Sequence, residues 1–414
     1  MNHTLFIAYK LLLERKRQTL VSVTGVAIGV CALIVMSSLM FGFQNYFIQQ
    51  VIDLEAHISI KPKEYEEEDR IVKKAKQDAI WEVYGNKPKE KDKIVGWRDI
   101  IKEVQKREDI AGVAVHLVAR GILKYGVKEK PVTLIGIDPD MEPKASVINR
   151  FLENKRLERL KTNKDALIVG KLVAKDLGIK DTGKKVILSL ANGRTALLKV
   201  EDFFNSGITN IDNSRVYMHI KTLQALTDRS DEVNEIVIKV KDVNKAQKIA
   251  LDLQKNLRYD VESWQRAYIN FLQIFKIQNL ITYMIVFAIL TVSAFGIFNI
   301  IMMTVLEKKK DIAILMAMGY SRKDILFMFL AQGLAIGFLG AILGFLLGYA
   351  LQEYLSSVRL DVEGLIRTKG FILDRRPIYY LYAFIFSMFF SFFASFYPSY
   401  RASRLNPVDI FRSG

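Results

Sequence analysis

Cysteine is nearly absent: Cys31 is alone among 414 residues, which excludes a disulfide framework and leaves the redox compartment unread. Histidine is scarce too. His3, His57, His116 and His219 lie far apart with no ligand spacing, so nothing points to a metal site. No nucleophile elbow, H-E-x-x-H or repeated carboxylate motif occurs. Asp138-Pro139-Asp140 pairs two carboxylates, but a proline-bearing acidic turn after a strand accounts for them. Gly178-Ile-Lys-Asp-Thr-Gly183-Lys184-Lys185 matches part of a P-loop. Lys185 stands where Ser or Thr must hold magnesium, and a helical pattern precedes the glycines where a strand is required. The chain is expected to hydrolyse no nucleotide by itself and to be no enzyme.

What is present is apolar and basic. Half of the residues are hydrophobic, and the formal net charge is +16. The cations do not interleave with aromatics along a stripe, as a nucleic-acid groove requires. They flank apolar runs, which points to a membrane.

Four runs are long enough to cross about 30 Å of hydrocarbon, which takes roughly 20 apolar residues. They are Thr19–Phe43, Leu280–Leu306, Ile325–Tyr349 and Ile378–Tyr397. The first is too long and too late for a cleaved signal peptide and reads as a retained anchor. Lys10, Arg15, Lys16 and Arg17 precede it. Lys308, Lys309, Lys310, Arg322 and Lys323 separate the second and third runs, and Arg401, Arg404 and Arg412 follow the fourth. With four spans these stretches share one side, which the positive-inside rule makes cytoplasmic, so both termini are expected inside. The loop Leu355–Arg376 dissents, with Arg359, Arg367, Lys369, Arg375 and Arg376.

The middle, Gln44–Phe275, is then a large outer domain. Strand patterns occupy Ala56–Lys61, Gly112–Tyr125, Val132–Ile137, Val186–Leu190, Thr195–Phe203, Val216–Ile220 and Glu235–Val240. Helical patterns occupy Ala166–Leu177 and Val243–Leu257. The mixture predicts an α+β domain of two lobes. Asn192-Gly193 predicts a tight hairpin, and the charged stretch Glu64–Lys93 hints at an exposed helix through Ile71, Ala75 and Ala79. Between Ser263 and Glu307 there is no proline, and Gly296 is the only glycine. A continuous helix there is roughly 65 Å long, about twice the bilayer requirement, and its surplus is a candidate stalk.

Small residues recur at helical spacing inside the spans: Gly25 and Gly29 in the first, and Gly333, Gly337, Gly340, Gly344 and Gly348 in the third. Such ridges let helices approach closely in lipid, within one chain or between two. The segment Glu307-Lys-Lys-Lys-Asp311-Ile-Ala-Ile-Leu-Met-Ala-Met-Gly319-Tyr-Ser-Arg-Lys-Asp324 starts charged and turns apolar. It ends at a glycine stop, with Ser321 as a cap for the next helix. A short amphipathic helix of this kind lies on a membrane or enters a groove on a partner.

This segment resembles the coupling helix of the FtsX/MacB-like permease superfamily, E-K-x-x-E/D-I-A-x-L-x-A-x-G. Pro398-Ser-Tyr-Arg401-Ala and Pro407 resemble its C-terminal P-x-x-R-A-x-x-x-x-P signature. The run Gly25-Val-Ala-Ile-Gly29, continuing to Met40-Phe-Gly42-Phe43 and Leu54-Glu-Ala-His57, is most similar to the LolC/LolE branch, membrane subunits of lipoprotein-releasing ABC transporters.

The resemblance implies an inner-membrane, multi-pass subunit that pairs with a second permease subunit, the same or paralogous, and with a cytoplasmic ATPase dimer. That dimer carries ATP and magnesium; this chain binds no cofactor. Motion would pass through stalks to the periplasmic domain and extract lipoproteins toward the outer membrane, with a periplasmic carrier as a further partner. Carrier-docking members use an extended, proline-bearing hairpin, whereas the counterpart here is the tight turn at Asn192-Gly193. An exporter of peptides or lipids without a fused ATPase, and a mechanical regulator of a periplasmic cell-wall hydrolase, are the alternatives.

On this reading the chain divides at 1–47 (N-terminal segment and first span), 48–275 (periplasmic domain with the start of the stalk) and 276–306 (second span). The coupling loop (307–324), third span (325–353), short periplasmic loop (354–377), and fourth span with its tail (378–414) follow. Coupling candidates are Glu307, Lys308, Asp311, Ala313, Leu315, Met318, Gly319 and Arg322. Met36, Met40, Phe43 and Phe47, recurring on one helix face, with Phe271 and Phe275 on the stalk, form an adaptable apolar wall for acyl chains.

Overall fold

The computed structural model describes residues 6, 10, 12, 14, 16–63, 92–358, 362–363, 367–368, 370–407 and 410. The helix expected within Glu64–Lys93 lies outside the described residues, which resume at Asp92. The chain divides into two compact units, residues 1–46, 273–361 and 368–414 in one and residues 47–272 with 362–367 in the other.

Helices α1 (Lys16–Leu54), α2 (Ile269–Glu307), α3 (Lys309–Ala317), α4 (Arg322–Ser357) and α5 (Ile378–Ser403) follow in chain order. All but α3 are long and apolar enough to cross a membrane, and each contains one of the four expected runs. Two boundaries differ from expectation. The fourth run does not stop at Tyr397, because Pro398 lies inside α5. A proline cannot donate to the carbonyl four residues back, yet a helix tolerates that loss where neighbouring helices support it. The rod expected from Ser263 is interrupted as well. A separate turn of helix, Trp264–Ala267, ends at Tyr268, whose φ of −108° and ψ of 23° leave the helical region. From Ile269 onward α2 is a single helix that continues through Gln278-Asn279. Its 39 residues span about 58 Å at 1.5 Å per residue.

Packing in this unit is governed by glycine. A Cβ built on Gly340 would lie 2.6 Å from Val26, one on Gly344 2.6 Å from Val30, and one on Gly348 3.4 Å from Ile34. These partners lie four residues apart along α1, so α4 receives one β-branched ridge in its side-chain-free groove. Its neighbouring stripe receives serines of α5: a Cβ on Gly333 would collide with Ser395, and one on Gly337 with Ser391. Gly29 faces Leu290 of α2 at 3.1 Å, whereas Gly25 has open space.

Among the described residues, the second unit is built on nine strands: β1 (Ile58–Lys61), β2 (Ile110–Tyr125), β3 (Lys128–Ile137), β4 (Ala166–Gly170), β5 (Lys185–Leu190), β6 (Thr195–Phe204), β7 (Arg215–His219), β8 (Glu235–Val240) and β9 (Asp260–Ser263). The order is β3-β7-β4-β6-β5-β2-β8-β1-β9, with a further β3–β2 pairing that closes the first six strands into a ring. The other part is a four-stranded sheet, β2-β8-β1-β9. The two expected lobes therefore take the form of a barrel and a sheet that share β2. Ala166–Leu177 is not one helix. Ala166–Gly170 is a fully buried strand and only Lys171–Leu177 is helical, since a short apolar run suits a core strand as well as a helix. Gly178 and Gly183, with φ of 80° and 86°, turn that helix into β5, so the P-loop-like glycines shape a helix-to-strand connection.

Ionic contacts join the two lobes. His116 lies where β2 pairs with both β3 and β8. Its Nε2 is 2.8 Å from Glu142 and its Nδ1 3.5 Å from Glu235, and Lys61 approaches Glu235 at 3.3 Å and Glu262 at 3.9 Å. Burial alone would lower the His116 pKa, but Glu142 and Glu235 outweigh it and raise it to about 10. Burial would raise Glu235, but His116 and Lys61 bring it down to about 2. The ring is therefore an imidazolium between two carboxylates.

Two predictions follow from these contacts. Gly344→Ala should lower stability by about 1–3 kcal/mol through forced overpacking, and Gly25→Ala should stay within about 0.5 kcal/mol, read by unfolding in detergent micelles. For His116, a raised pKa contributes stability that is complete below 6.5 and fades as pH rises toward 10. The carboxylates contribute fully above 4.5 and lose it as pH falls toward 2. Wild type should thus exceed His116→Gln by roughly 3–5 kcal/mol on a plateau in mildly acidic buffer. The gap should narrow on the alkaline side, and a constant gap up to strongly alkaline pH would contradict the network.

Candidate functional site

Helix α3 is held between two defined ends. Lys308 bridges Glu14 at 3.0 Å and Asp311 at 3.2 Å. At the other end Gly319 has a φ of 99°, which only glycine adopts freely. Ser321 then caps α4 in a reciprocal box, its Oγ accepting from the Asp324 N–H while Asp324 accepts from the Ser321 N–H at 2.9 Å. Ile312 and Ala313 are buried, and Leu315 and Met316 pack on the helix core.

The exposed side carries Lys310, Asp311, Ile314 and Met318. Among the coupling candidates, Glu307, Asp311, Met318, Gly319 and Arg322 are therefore exposed, and Lys308 is half-buried in its ion pairs. Ala313 is buried and Leu315 is half-buried against the helix core. Ile314 is 47% exposed; its spacing of four from both Lys310 and Met318 places the three on one face.

Of the Met and Phe set, Met40, Phe47 and Phe275 are buried, and Met36, Phe43 and Phe271 are half-buried. Met40 is buried and accepts from the Thr282 hydroxyl at 3.1 Å. Phe43 meets Phe275 edge-on, with centroids 6.2 Å apart, and Phe275 is buried. Phe47, also buried, packs on Phe271 at 5.2 Å and Tyr268 at 6.2 Å. Met36 is half-buried.

Sequence reasoning passed over a cavity of about 1920 Å³ in the outer unit, whose lining includes Glu55, Lys61, His116, Arg215, Glu235 and Tyr268. Glu55 receives Arg215 at 2.5 Å and the Tyr268 hydroxyl at 3.3 Å. Burial would lower the Arg215 pKa, but Glu55 holds it well above the usual guanidinium value. Burial and Glu55 raise the Tyr268 phenol, and burial with Glu55 pushes Tyr217 up to about 12. These groups are far apart in sequence, so no motif announces them. Among the described residues, no group of three or more His, Cys, Asp or Glu is arranged to hold a metal ion.

The β5–β6 hairpin also has a defined setting. Asn192 Nδ2 donates to the Leu226 carbonyl at 2.9 Å, and Arg194 to the Ala225 carbonyl at 2.8 Å. Arg194 also pairs with Asp228 at 2.6 Å. The tip is stapled to the helix Ile220–Thr227 and does not project freely.

Known proteins resemble this chain in sequence. The lipoprotein-releasing system transmembrane protein LolC of Xylella fastidiosa is 25% identical over 374 residues, covering 88% of this chain and 83% of that protein. LolC of Neisseria meningitidis serogroup B is 26% identical over 375 residues, with 88% and 83% covered. LolE of Haemophilus influenzae is 23% identical over 386 residues, with 89% and 87% covered. Residues 283–407 match the FtsX-like permease C-terminal family, and residues 19–256, more than half of the chain, match the MacB-like periplasmic core domain. The chain thus belongs to the family defined by the MacB-like periplasmic core domain, here followed by an FtsX-like permease C-terminal region.

Proposed function

We propose that the chain is the membrane subunit of a lipoprotein-releasing ABC transporter. The observation that carries this reading is the match along 88% of the chain to relatives bearing the LolC name. Four apolar helices and a strand-rich unit inserted after the first of them support it. In this reading both termini are cytoplasmic and the strand-rich unit is periplasmic, at a bacterial inner membrane. ATP and magnesium act on a separate ATPase, and a second permease subunit completes the membrane part.

The division of labour follows from the two ends of α2. Its inner end leads into α3, whose exposed Ile314 and Met318 are the apolar anchors for the ATPase, with Glu307, Asp311 and Arg322 at the rim. Its outer end leads to the periplasmic unit, so an unbroken helix of this length serves as a lever. Acyl chains enter against Met36, Met40, Phe43, Phe47, Phe271 and Phe275 when α1 and α2 part. The stapled hairpin tip makes a projecting carrier hook at Asn192-Gly193 a poor fit.

Ile314→Glu and Met318→Glu should each weaken co-purification of the ATPase subunit by roughly 30-fold, as loss of a central apolar anchor does. Membrane insertion should be unchanged, and undiminished co-purification would sink the docking assignment. A Gly-Gly insertion after Gln278 costs about 1 kcal/mol per glycine in helix stability. Assembly and ATP hydrolysis should persist while lipoprotein release stops. Release at the normal rate would make α2 a tether and not a lever.

A further inference from the structure

We infer that Glu55 is the joint through which both outer helix ends act on the barrel; the inference rests on the transport reading above and assigns the residue that executes it. Glu55 follows the last residue of α1 and rides on its final turn, with its N–H donating to the Val51 carbonyl at 2.8 Å. Tyr268 precedes the first residue of α2 and is tied into its first turn, its carbonyl accepting from the Leu272 N–H at 3.1 Å. Arg215 opens β7, a barrel strand paired in parallel with β3.

One atom joins all three. Glu55 Oε1 accepts from Arg215 Nη2 at 2.5 Å and from Tyr268 Oη at 3.3 Å. Phe47 packs beside this point against Tyr268 and Phe271, so the helix ends are held by apolar contact while the carboxylate carries their position to β7. A second ion pair, Asp53–Arg150 at 3.1 Å, leaves the same helix end, but the Arg150 side chain is 67% exposed. Water screens such a pair, so it constrains little. The Arg215 and Glu55 side chains are only 25% and 21% exposed, which makes their attraction stiffer and their separation costlier. Glu55 touches no substrate; it is a positioning residue.

The test is hydrogen exchange on the full-length chain with its ATPase partner in lipid nanodiscs, with and without ATP. In wild type, ATP should alter exchange in β4–β7. Glu55→Gln should lose most of that difference while buried β4 keeps its slow exchange, which shows that the fold is intact. Tyr268→Phe, which keeps the ring against Phe47, should lose part of it. Glu55→Asp should restore part, and the exchanged pair Glu55→Arg with Arg215→Glu should restore more. A full response in Glu55→Gln would overturn the joint and leave the transport reading standing. No response in wild type would overturn the transport reading, and the joint with it.

Discussion

Helix α4 approaches α1 and α5 most closely at its glycines, and the membrane unit is arranged around that close approach. In hydrocarbon the hydrophobic effect no longer drives apolar helices together, so association depends on close contact and a few hydrogen bonds. The glycine groove supplies the contact, with Val26 and Val30 seated where a methyl group on α4 would collide. Ser387 of α5 supplies a hydrogen bond, its Oγ donating to the Gly337 carbonyl at 3.1 Å. Because α1 and α5 occupy different stripes of one helix, neither can slide along it without losing its fit.

The outer unit solves a different problem by different means. Its two lobes share one long strand, and backbone pairing alone would let the sheet flex against the barrel. A charged group on the shared strand restrains that freedom, because His116 is satisfied between Glu142 and Glu235 only in one arrangement. The same logic operates at Glu55, where a carboxylate fixes the spacing of two helix ends and a strand.

The membrane helices were legible because length and hydropathy suffice to identify them, and seven strands were legible from their apolar alternation. What escaped depended on contacts distant in sequence. Four apolar residues at Ala166–Val169 carry no period, so strand and helix could not be told apart there. Strand β9, Asp-Val-Glu-Ser, is too short and polar to stand out, and β1 alone explains its place in the sheet. At α3 the glycine stop and the Ser321 cap were readable, but the inward turn of Ala313 and Leu315 depends on how α3 lies against the helix core. The Glu55 cluster left no trace, since its members come from positions 55, 215 and 268 of the chain.

The pairing of β1 with β9 has a consequence for biogenesis. Ile58 opposes Ser263 in the ladder, so the first strand to leave the ribosome is completed by one made about 200 residues later, a contact of very high order. The barrel strands lie between the two and can close on each other first. Until Ser263 has emerged, β1 keeps one edge open beside a freshly inserted apolar helix, an invitation to pair with the wrong chain. Synthesis of this protein therefore has a vulnerable interval bounded by those two residues.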